Sequence, residues 1–514
     1  MKIFSLKNLC RFRKVFAVLF LGCFCALFSG LILQKSDLFK LAEWQFLPGI
    51  LSVVALSGMT SFSALMIAAL VCAFCGRLYC SWFCPLGLLQ DLLERINQKF
   101  FRKTPRSYQP GSPVLRMIFF TVSILLLLNG CALFMGIIEP YSLFGKFSSS
   151  MVRQILFMIN DSTVELEQSP LPESSAWSIY LAVNAGFLLA LILLVVLKGR
   201  IFCNTLCPAG TILAGLAARS GKRLHINSDK CVKCRKCEKA CNANCINIAE
   251  QKIDFSRCFM CLECIKECPT DAISLVRRRK SGLATADLPA APERRKLLIT
   301  AGAAGAGAII AGKMIKSSSA KELLPGIVPP GAGSQAEFLA HCTGCGLCIA
   351  NCRGGCLQPA TVEYSWRGFM LPTMKFSGEN PGKCEFECNN CMTNCPTGAL
   401  KHLSLKSKQR CRIGMAEFFP KLCIAYVDGE PCGACSEHCP THALKMVPGP
   451  HEFATVPQVI GDLCIGCGNC QYACPVKPQE AIRIKPLARQ TQAADPAEYR
   501  KKEQIKTPPS TIPF

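Results

Sequence analysis

Cysteine is the residue that most constrains this chain, because its copies recur in groups of four with short, regular gaps. The 514 residues include 37 cysteines. In the first two groups, three cysteines follow one another at intervals of three residues, and a fourth comes four residues later. Their members are Cys231, Cys234, Cys237 and Cys241, then Cys258, Cys261, Cys264 and Cys268. A chain of this length with an odd number of cysteines is not a small disulfide-stapled scaffold, so the groups predict metal ligation.

The spacing is that of bacterial two-cluster ferredoxins, in which three close cysteines bind one 4Fe–4S cluster and the fourth binds the other. We therefore expect one cluster on Cys231, Cys234, Cys237 and Cys268, and a second on Cys258, Cys261, Cys264 and Cys241. Zinc is the alternative, but zinc sites use paired cysteines separated by longer gaps. Cys245 aligns with Ala272 of the second group, so Cys241 is the expected ligand.

Four more groups in the C-terminal half predict four further 4Fe–4S clusters, which makes six in all. Their members are Cys342, Cys345, Cys348 and Cys352; Cys384, Cys388, Cys391 and Cys395; Cys423, Cys432, Cys435 and Cys439; and Cys464, Cys467, Cys470 and Cys474. Cys411 is an alternative to Cys423, whereas Cys356 occupies the position of Cys245 and is not an expected ligand. We expect nested pairing of these groups, outer with outer and inner with inner.

Four uncharged apolar stretches predict membrane spans, at 15–33, 50–75, 117–138 and 177–197. Each is long enough to cross ~30 Å of hydrocarbon as a helix; buried core helices are the alternative. Basic residues concentrate before the first stretch, between the second and third, and after the fourth. Because basic loops stay on the cytoplasmic side, we expect the N-terminus and the first ferredoxin unit to be cytoplasmic.

A twelve-residue motif, G-R-x-[YF]-C-x3-C-P-x-G, occurs twice, at 76–87 and at 199–210. The repeat indicates an internal duplication that brings two cysteine pairs to the same membrane face. Four thiolates can ligate one further metal centre, and buried structural cysteines are the alternative. The candidate cofactor-binding residues are Cys80, Cys84, Cys203 and Cys207.

A third type of segment separates the two cysteine-rich regions. Arg294 and Arg295 precede a short Ala/Gly-rich stretch at 301–312, which resembles a twin-arginine export signal. A flexible linker and a fifth membrane helix packed through small residues are the alternatives. The expected fold is multi-domain, with an α-helical membrane domain of four spans, a possible fifth span, and α+β ferredoxin-like domains. The boundaries are 1–224 for the membrane domain, 225–280 for a cytoplasmic two-cluster domain, 281–335 for the linker, 336–485 for a four-cluster domain and 486–514 for a disordered tail.

Other classes of site leave no trace in the sequence. There is no C-x-x-C-H haem motif, all six histidines lie outside the four predicted spans, and no flavin- or nucleotide-binding motif occurs. The formal net charge is +24, but no recognition helix or stacking pattern accompanies it, so a nucleic-acid partner is not expected. Glu139 and Tyr141, at the predicted outer end of the third span, are candidate catalytic residues. A proton acceptor and an interfacial anchor are their alternative roles.

The duplicated motif with its trailing ferredoxin resembles the NapH/NosR-type membrane polyferredoxins. The twin-arginine segment followed by four cysteine groups resembles the NapG/MauM ferredoxin-type proteins, as though two partners were fused over about residues 1–480. The NapH/NapG pair is regarded as a quinol dehydrogenase that serves a periplasmic nitrate reductase. The resemblance therefore implies a bacterial inner-membrane protein with quinol dehydrogenase activity, which oxidises menaquinol or ubiquinol and reduces a periplasmic reductase or cytochrome.

Two other functions remain open from the sequence. In one, a cytoplasmic donor reduces the first ferredoxin unit and electrons move outward without quinol chemistry. In the other, the protein is a non-catalytic accessory in the maturation or regulation of a periplasmic reductase. We expect the C-terminal four-cluster unit to be periplasmic, which requires electrons to cross the bilayer.

Overall fold

A computed structural model describes residues 3–30, 40–46, 48–50, 59–101, 106–128, 136–160, 175–277, 302, 326–378, 380–496 and 498–499. The described chain forms two compact units. The first contains the described residues up to 152 and from 183 to 302, and the second contains those from 153 to 182 and from 326 onward. Most of the predicted membrane domain therefore shares one unit with the first ferredoxin domain, whereas its described residues between 153 and 182 belong to the second unit. The twin-arginine pair and all of the Ala/Gly stretch except Gly302 lie outside the described residues.

The N-terminal part of the chain is helical. Its longer helices are α1 (Ile3–Ser29), α2 (Met59–Cys75), α3 (Pro85–Phe100), α4 (Pro113–Leu128), α5 (Pro140–Phe147), α6 (Arg153–Asn160), α7 (Ser175–Lys198) and α8 (Pro208–Ala217). Shorter helical turns occupy Lys40–Glu43, Tyr79–Trp82, Ser148–Val152 and Phe202–Leu206. Proline begins α3, α5 and α8, where its missing N–H group costs no hydrogen bond.

Two of the described helices are long and apolar enough to cross a membrane: Leu6–Ser29 within α1, and α7. The other predicted spans correspond to α2 and α4, whose apolar parts, Leu65–Cys75 and Pro113–Leu127, are shorter. Residues 51–58 and 129–135, which belong to those two predicted spans, lie outside the described chain. The expectation of four spans is therefore supported only for the first and the last.

The first ferredoxin unit consists of two antiparallel strand pairs with the cysteine groups between them. Strand β1 (Lys222–Ile226) pairs with β4 (Ile273–Arg277), and β2 (Ile246–Asn247) pairs with β3 (Lys252–Ile253). The chain order is strand, cysteine group, hairpin, cysteine group, strand. This arrangement places the two cysteine groups side by side, as the two-cluster spacing predicts.

The second unit repeats the same order. Strand β7 (Cys411–Phe418) pairs with β10 (Ile482–Gln492), and between them β8 (Leu444–Pro448) pairs with β9 (Thr455–Val459). An earlier hairpin joins β5 (Leu357–Pro359) and β6 (Pro372–Met374). Short helices in the two units are Lys236–Lys239, Glu263–Glu267, Gln335–His341, Leu347–Ala350, Ser365–Gly368, Asn390–Thr393, Leu405–Gln409, Pro420–Leu422, Ile424–Val427, Ala434–Glu437 and Asn469–Ala473.

Strand β10 corrects one prediction about the C-terminus. A disordered tail was expected from residue 486, but Pro486 and Thr491 both pair with β7. A register irregularity between these two residues accommodates the proline, which cannot donate a ladder hydrogen bond. The ferredoxin fold of the second unit therefore extends through Gln492.

Candidate metal centres

Each cysteine group in the first unit contributes to two cavities. Site 1 is lined by Cys231, Cys234, Cys237 and Cys268. Site 2 is lined by Cys241, Cys258, Cys261 and Cys264, and Cys245 also reaches this cavity. The fourth cysteine of each group thus lies with the three close cysteines of the other, which is the exchange that the spacing predicts.

The second unit forms four further cysteine sets. Site 3 has Cys342, Cys345, Cys348 and Cys395; site 5 has Cys423, Cys432, Cys435 and Cys474; site 6 has Cys439, Cys464, Cys467 and Cys470. Site 4 comprises Cys352, Cys384, Cys388 and Cys391, whose thiols interact electrostatically with one another. The sets join neighbouring groups in the sequence, so the expectation of nested pairing is wrong.

The identity of the irregular ligand at site 5 also follows from the structure. Cys423 lines the cavity, whereas Cys411 lies on β7 and its Sγ is 3.5 Å from Oε1 of Gln490. The eight-residue gap after Cys423 contains the short helix Ile424–Val427. Cys423 is therefore the residue placed to act as the ligand, as the sequence predicts.

The cysteine sets have the ligand chemistry that a 4Fe–4S cluster requires. In the described chain, no three histidine, cysteine or acidic side chains lie close enough together to hold one metal ion. Four thiols surround a cavity at each of sites 1, 3, 5 and 6, and five line the cavity of site 2, where Cys245 joins the four predicted ligands. Thiolate sets of this kind select soft metal centres such as iron–sulfur clusters, and the residues present therefore fit a 4Fe–4S group.

The backbone conformation of the regular groups explains how their cysteines converge. The second residue after the first cysteine and the residue after the second cysteine both have positive φ at sites 1, 2, 3 and 6. These residues are Lys233 and Arg235, Met260 and Leu262, Gly344 and Gly346, and Gly466 and Gly468. Glycine adopts this left-handed region freely, whereas other residues do so at a cost of roughly 1–2 kcal/mol each. In the first unit these positions are occupied by residues other than glycine, so the backbone is strained where the chain wraps around the two cavities.

The thiols of these sites differ in how readily they ionise. Burial raises the pKa of Cys261 to about 12. At the same site, a hydrogen bond from Cys245 lowers the pKa of Cys241 to about 7. Cluster ligands are thiolates, so most of these buried thiols lose their protons only when a metal centre compensates the charge.

The first and last glycines of the duplicated motif are explained by backbone geometry. Gly76 and Gly199 have φ of +81° and +67°, a conformation that disfavours side chains. At the other end of the motif, a Cβ on Gly87 would clash with the carbonyl oxygen of Cys80, and one on Gly210 would clash with that of Cys203. The two copies therefore fold alike around their cysteines.

The arginine of each copy reaches into the other copy. Nη2 of Arg77 donates to the carbonyl oxygen of Cys203 at 3.0 Å, and Nη1 of Arg200 donates to that of Cys80 at 3.0 Å. Both arginines are fully buried, with 0% and 1% exposure. The reciprocal hydrogen bonds lock the two copies together as a pseudo-symmetric pair, which we call the arginine crossover.

The four thiols of the crossover are buried beside each other. Cys80, Cys84, Cys203 and Cys207 are at most 5% exposed, and the thiol of Cys84 interacts electrostatically with the other three. The backbone N–H of Gly210 donates to Sγ of Cys207 at 3.2 Å. Ala272 makes the same N–H to sulfur contact, at 3.3 Å, with Cys268 of site 1. The structure therefore brings the four predicted cofactor-binding cysteines together.

The crossover lies directly against site 2. The guanidinium carbons of Arg77 and Arg200 lie 4.5 and 4.7 Å from the ring centroid of Phe259, which is within cation–π range. Phe259 follows the site 2 ligand Cys258, and Arg200 itself lines that cavity. The four-thiol group and the second ferredoxin site are thus continuous through the two arginines and one aromatic ring.

Asp91 of α3 holds this region together electrostatically. Its Oδ2 lies 2.8 Å from Nη2 of Arg200 and 3.2 Å from Nη1 of Arg13 on α1, and its Oδ1 accepts a hydrogen bond from Asn242 at 3.0 Å. Burial alone would raise the pKa of Asp91, but Arg200 and Arg13 outweigh it and lower the pKa. Arg13 also binds Glu263 at 2.8 Å, so α1, α3 and the ferredoxin share one ion network.

Glu139 and Tyr141 are both buried. Glu139 caps the N-terminus of α5, where its carboxylate accepts the backbone N–H groups of Tyr141, at 2.9 Å, and of Ser142. The ring of Tyr141 packs against Phe24 and Phe28 of α1. Burial raises the pKa of Glu139 to about 7.

The structure does not place Glu139 at an edge remote from the duplicated motif. Helix α5 packs against α3, which begins directly after Cys84, and the carboxylate of Glu139 interacts electrostatically with the phenol of Tyr79. Tyr79 donates in turn to Oε1 of Gln45 at 2.7 Å. The candidate proton acceptor is therefore a neighbour of the first C-x3-C-P pair.

Sequence reasoning missed some of these residues. The identical Gly-Arg pair in both copies of the motif was a signal for Arg77 and Arg200, since a buried arginine needs a fixed set of acceptors. Nothing in the sequence singles out Phe259 or Asp91, because their roles depend on segments far apart in the chain.

Comparisons with known proteins agree with these sites. Families described as a 4Fe-4S binding domain match residues 54–104 and 181–227, 252–274, and 228–244 and 339–355. A 4Fe-4S dicluster domain matches residues 430–478. Both copies of the duplicated motif fall within the first pair of ranges. The repeated cysteine sites and these matches define an iron–sulfur electron-transfer protein of the ferredoxin type.

Three relatives, each aligned with about a third of this chain, indicate which group of ferredoxin-type proteins it belongs to. The methylamine utilization ferredoxin-type protein MauM of Methylorubrum extorquens is 31% identical over 38% of this chain and 91% of its own length. The ferredoxin-type protein NapF of Escherichia coli K12 is 32% identical over 33% of this chain and 88% of its own, and NapG of the same strain is 31% identical over 31% and 70%. The chain belongs to this family of ferredoxin-type proteins. No solved structure matches it.

Proposed function

We propose that the protein is a membrane-bound iron–sulfur protein that oxidises quinol and passes the electrons through six 4Fe–4S clusters to a periplasmic reductase. The observation that carries the proposal is the continuity between the four-thiol arginine crossover, Phe259 and site 2. This arrangement links a helical, apolar part of the chain directly to a ferredoxin site. Apolar helices beside a redox site suit a lipid-soluble substrate.

In this proposal, the chain's own residues position and deprotonate the quinol. Quinol oxidation releases two protons as well as two electrons, and Glu139 is the buried carboxylate beside Tyr79 that accepts a proton. Its raised pKa, about 7, matches a general base that works near neutral pH. The 4Fe–4S groups held at sites 1–6 supply single-electron acceptors.

The proposed topology keeps the four spans, with the N-terminus and the first ferredoxin unit in the cytoplasm. The basic loops between the spans support this orientation. The twin-arginine segment then exports the four-cluster domain across the inner membrane to the periplasm. The proposal also includes one further metal centre on Cys80, Cys84, Cys203 and Cys207, supported by their joint burial and by the 4Fe-4S family match at both motifs.

One observation favours a second function, a conduit from a cytoplasmic donor without quinol chemistry. The rim of site 1 is exposed and basic, with Cys234 itself exposed. Its exposed basic residues are Lys230, Lys233, Arg235, Lys236 and Lys239. Such a surface fits an acidic electron-transfer protein, which would reduce site 1 first.

Anaerobic mixing of the full-length protein in lipid vesicles with menaquinol or ubiquinol tests the leading proposal. We expect quinol-dependent bleaching of the cluster absorbance, with a rate that rises as the pH passes through about 7. Glu139→Gln keeps a carbonyl oxygen for the helix cap but cannot take a proton, so bleaching should slow at least tenfold and lose its pH dependence. Glu250→Gln, at an exposed position, is the matched control.

Other results would redirect the assignment. No reduction by either quinol, combined with rapid reduction by an acidic ferredoxin, would replace the proposal with the conduit. No reduction by any donor would leave an accessory role. Chemical analysis should give about 24 iron atoms per chain for six clusters, and about 28 if the arginine crossover holds another.

A further inference from the structure

Two buried cysteines outside the six sets occupy the same position in two ferredoxin groups. Cys245 lies four residues after the site 2 ligand Cys241, and Cys356 lies four residues after the site 4 ligand Cys352. In three of the other groups the same position is alanine, namely Ala272, Ala399 and Ala443. This position faces the ligand sulfur, because the N–H groups of Ala272 and Ala443 each donate to the preceding ligand Sγ at 3.3 Å.

At sites 2 and 4, the cysteine at this position adds a thiol beside the ligand. Sγ of Cys245 lies 3.5 Å from Sγ of Cys241, and Sγ of Cys356 lies 3.8 Å from Sγ of Cys352. Each extra thiol also contacts a ligand from the neighbouring group, Cys258 at site 2 and Cys384 at site 4. Cys245 is 2% and Cys356 is 1% exposed, so water does not compete for these contacts.

The direction of the hydrogen bond follows from the chemistry of the site. A cysteine bound to iron is a thiolate without a proton, so it can only accept. The extra cysteine keeps its S–H and is the donor. A hydrogen bond to a ligand sulfur stabilises the reduced, more negative form of a cluster, and such bonds are among the factors that set cluster potential.

We propose that Cys245 and Cys356 are potential-setting residues that donate S–H hydrogen bonds to the ligand sulfurs of sites 2 and 4. This inference rests on the proposed 4Fe–4S occupancy of those sites. It makes sites 2 and 4 the better electron acceptors relative to sites 1 and 3, which lack the extra thiol. In the first unit, the favoured acceptor is thus the site that adjoins the arginine crossover.

Redox titration of the full-length protein, monitored by electron paramagnetic resonance, tests this inference. Cys245→Ala installs the residue that other groups carry, and Cys245→Ser keeps a hydrogen-bond donor. In Cys245→Ala we expect an unchanged iron content. The equilibrium constant for reduction of one cluster should fall tenfold, which lowers its reduction potential by about 59 mV for a one-electron couple. Cys245→Ser should show a smaller shift, and Cys356→Ala should affect a different cluster.

Cys411→Ala is the matched control for Cys245→Ala, because Cys411 is a buried thiol that hydrogen-bonds Gln490 and belongs to the other unit, so its removal should leave the potential of site 2 unchanged. Two results would overturn the inference: an unchanged potential in Cys245→Ala, or the loss of about four iron atoms, which would make Cys245 a ligand. Absence of cluster signals from the wild-type protein would instead overturn the proposed function from which this inference starts.

Discussion

Replacing Asp91 with asparagine tests the ion network that joins α1, α3 and the ferredoxin. Asn has the same shape but removes the carboxylate that lies 2.8 Å from Arg200 and 3.2 Å from Arg13. Arg13 keeps Glu263 at 2.8 Å. Arg200 loses the one carboxylate that pairs with it in the described chain, so it becomes the uncompensated charge.

The size of the effect follows from burial. Removing one partner of a buried ion pair costs about 3–5 kcal/mol. The carbonyl oxygens of Cys80 and Gly87 still accept from Arg200, so we expect the lower end, about 3 kcal/mol. If the first unit opens locally with this loss, the amides of α3 should exchange with solvent roughly a hundredfold faster, at 1.36 kcal/mol per factor of ten.

Hydrogen–deuterium exchange with mass spectrometry on the full-length protein in detergent measures this directly. The same measurement on Arg200→Gln, and on the variant that combines it with Asp91→Asn, completes a double-mutant cycle. Without Arg200, the loss of Asp91 should accelerate exchange only about tenfold, because Arg13 retains Glu263. Asp229→Asn, at an exposed position, is the control and should change nothing.

The reasoning would be refuted if Asp91→Asn accelerated α3 exchange less than tenfold. It would also fail if the acceleration were the same with and without Arg200, since the orphaned guanidinium is the stated cause.

Three other predictions concern the sites, the crossover and the response to acid. Cys474→Ala and Cys432→Ala should each remove the same cluster signal and about four iron atoms per chain; loss of different signals would contradict adjacent pairing. Phe259→Ala removes the ring beneath both guanidiniums and should destabilise the first unit by about 3–5 kcal/mol, measured by thermal unfolding, whereas Phe453→Ala, at 88% exposure, should have no effect. The lowered pKa of Asp91 contributes stability that is complete above the unfolded value of about 3.9 and is lost as the pH falls through the folded value; acid unfolding of Asp91→Asn should lack this component.

Most of the ligand positions could be predicted from the sequence, because cluster spacing is a local property of the chain. Cys231 through Cys268 converge as expected, and Cys423 rather than Cys411 lines site 5. Cysteine spacing constrains the ligands within a group. In the first unit it also predicted that the fourth cysteine of each group lies with the three close cysteines of the other group.

The pairing of groups in the second unit could not be read from spacing. Nested pairing would bring together cysteine groups that are separated by long chain segments. Because the entropic cost of closing a loop rises with its length, pairing between groups adjacent in the sequence is favoured. The hairpin of β8 and β9 and the outer pair of β7 and β10 enclose the last two groups together. That strand order, rather than the cysteines, decides which groups share a cavity.

The position of Glu139 was also beyond sequence reasoning. Its place after an apolar stretch indicated an outer membrane edge, but the packing of α5 on α3 brings it beside the duplicated motif. Hydropathy shows whether a segment is apolar. It does not show whether the chain after that segment turns back and packs against an earlier helix.

The contact between Arg13 and Glu263 has a consequence for biosynthesis. These two residues are 250 positions apart in the chain, and synthesis proceeds at about 5–20 residues per second. Glu263 is therefore translated roughly 12–50 seconds after Arg13, at those rates. Asp91 lies only 78 positions after Arg13 and can neutralise the arginine first, so the contact between α1 and α3 can form before the ferredoxin has been made.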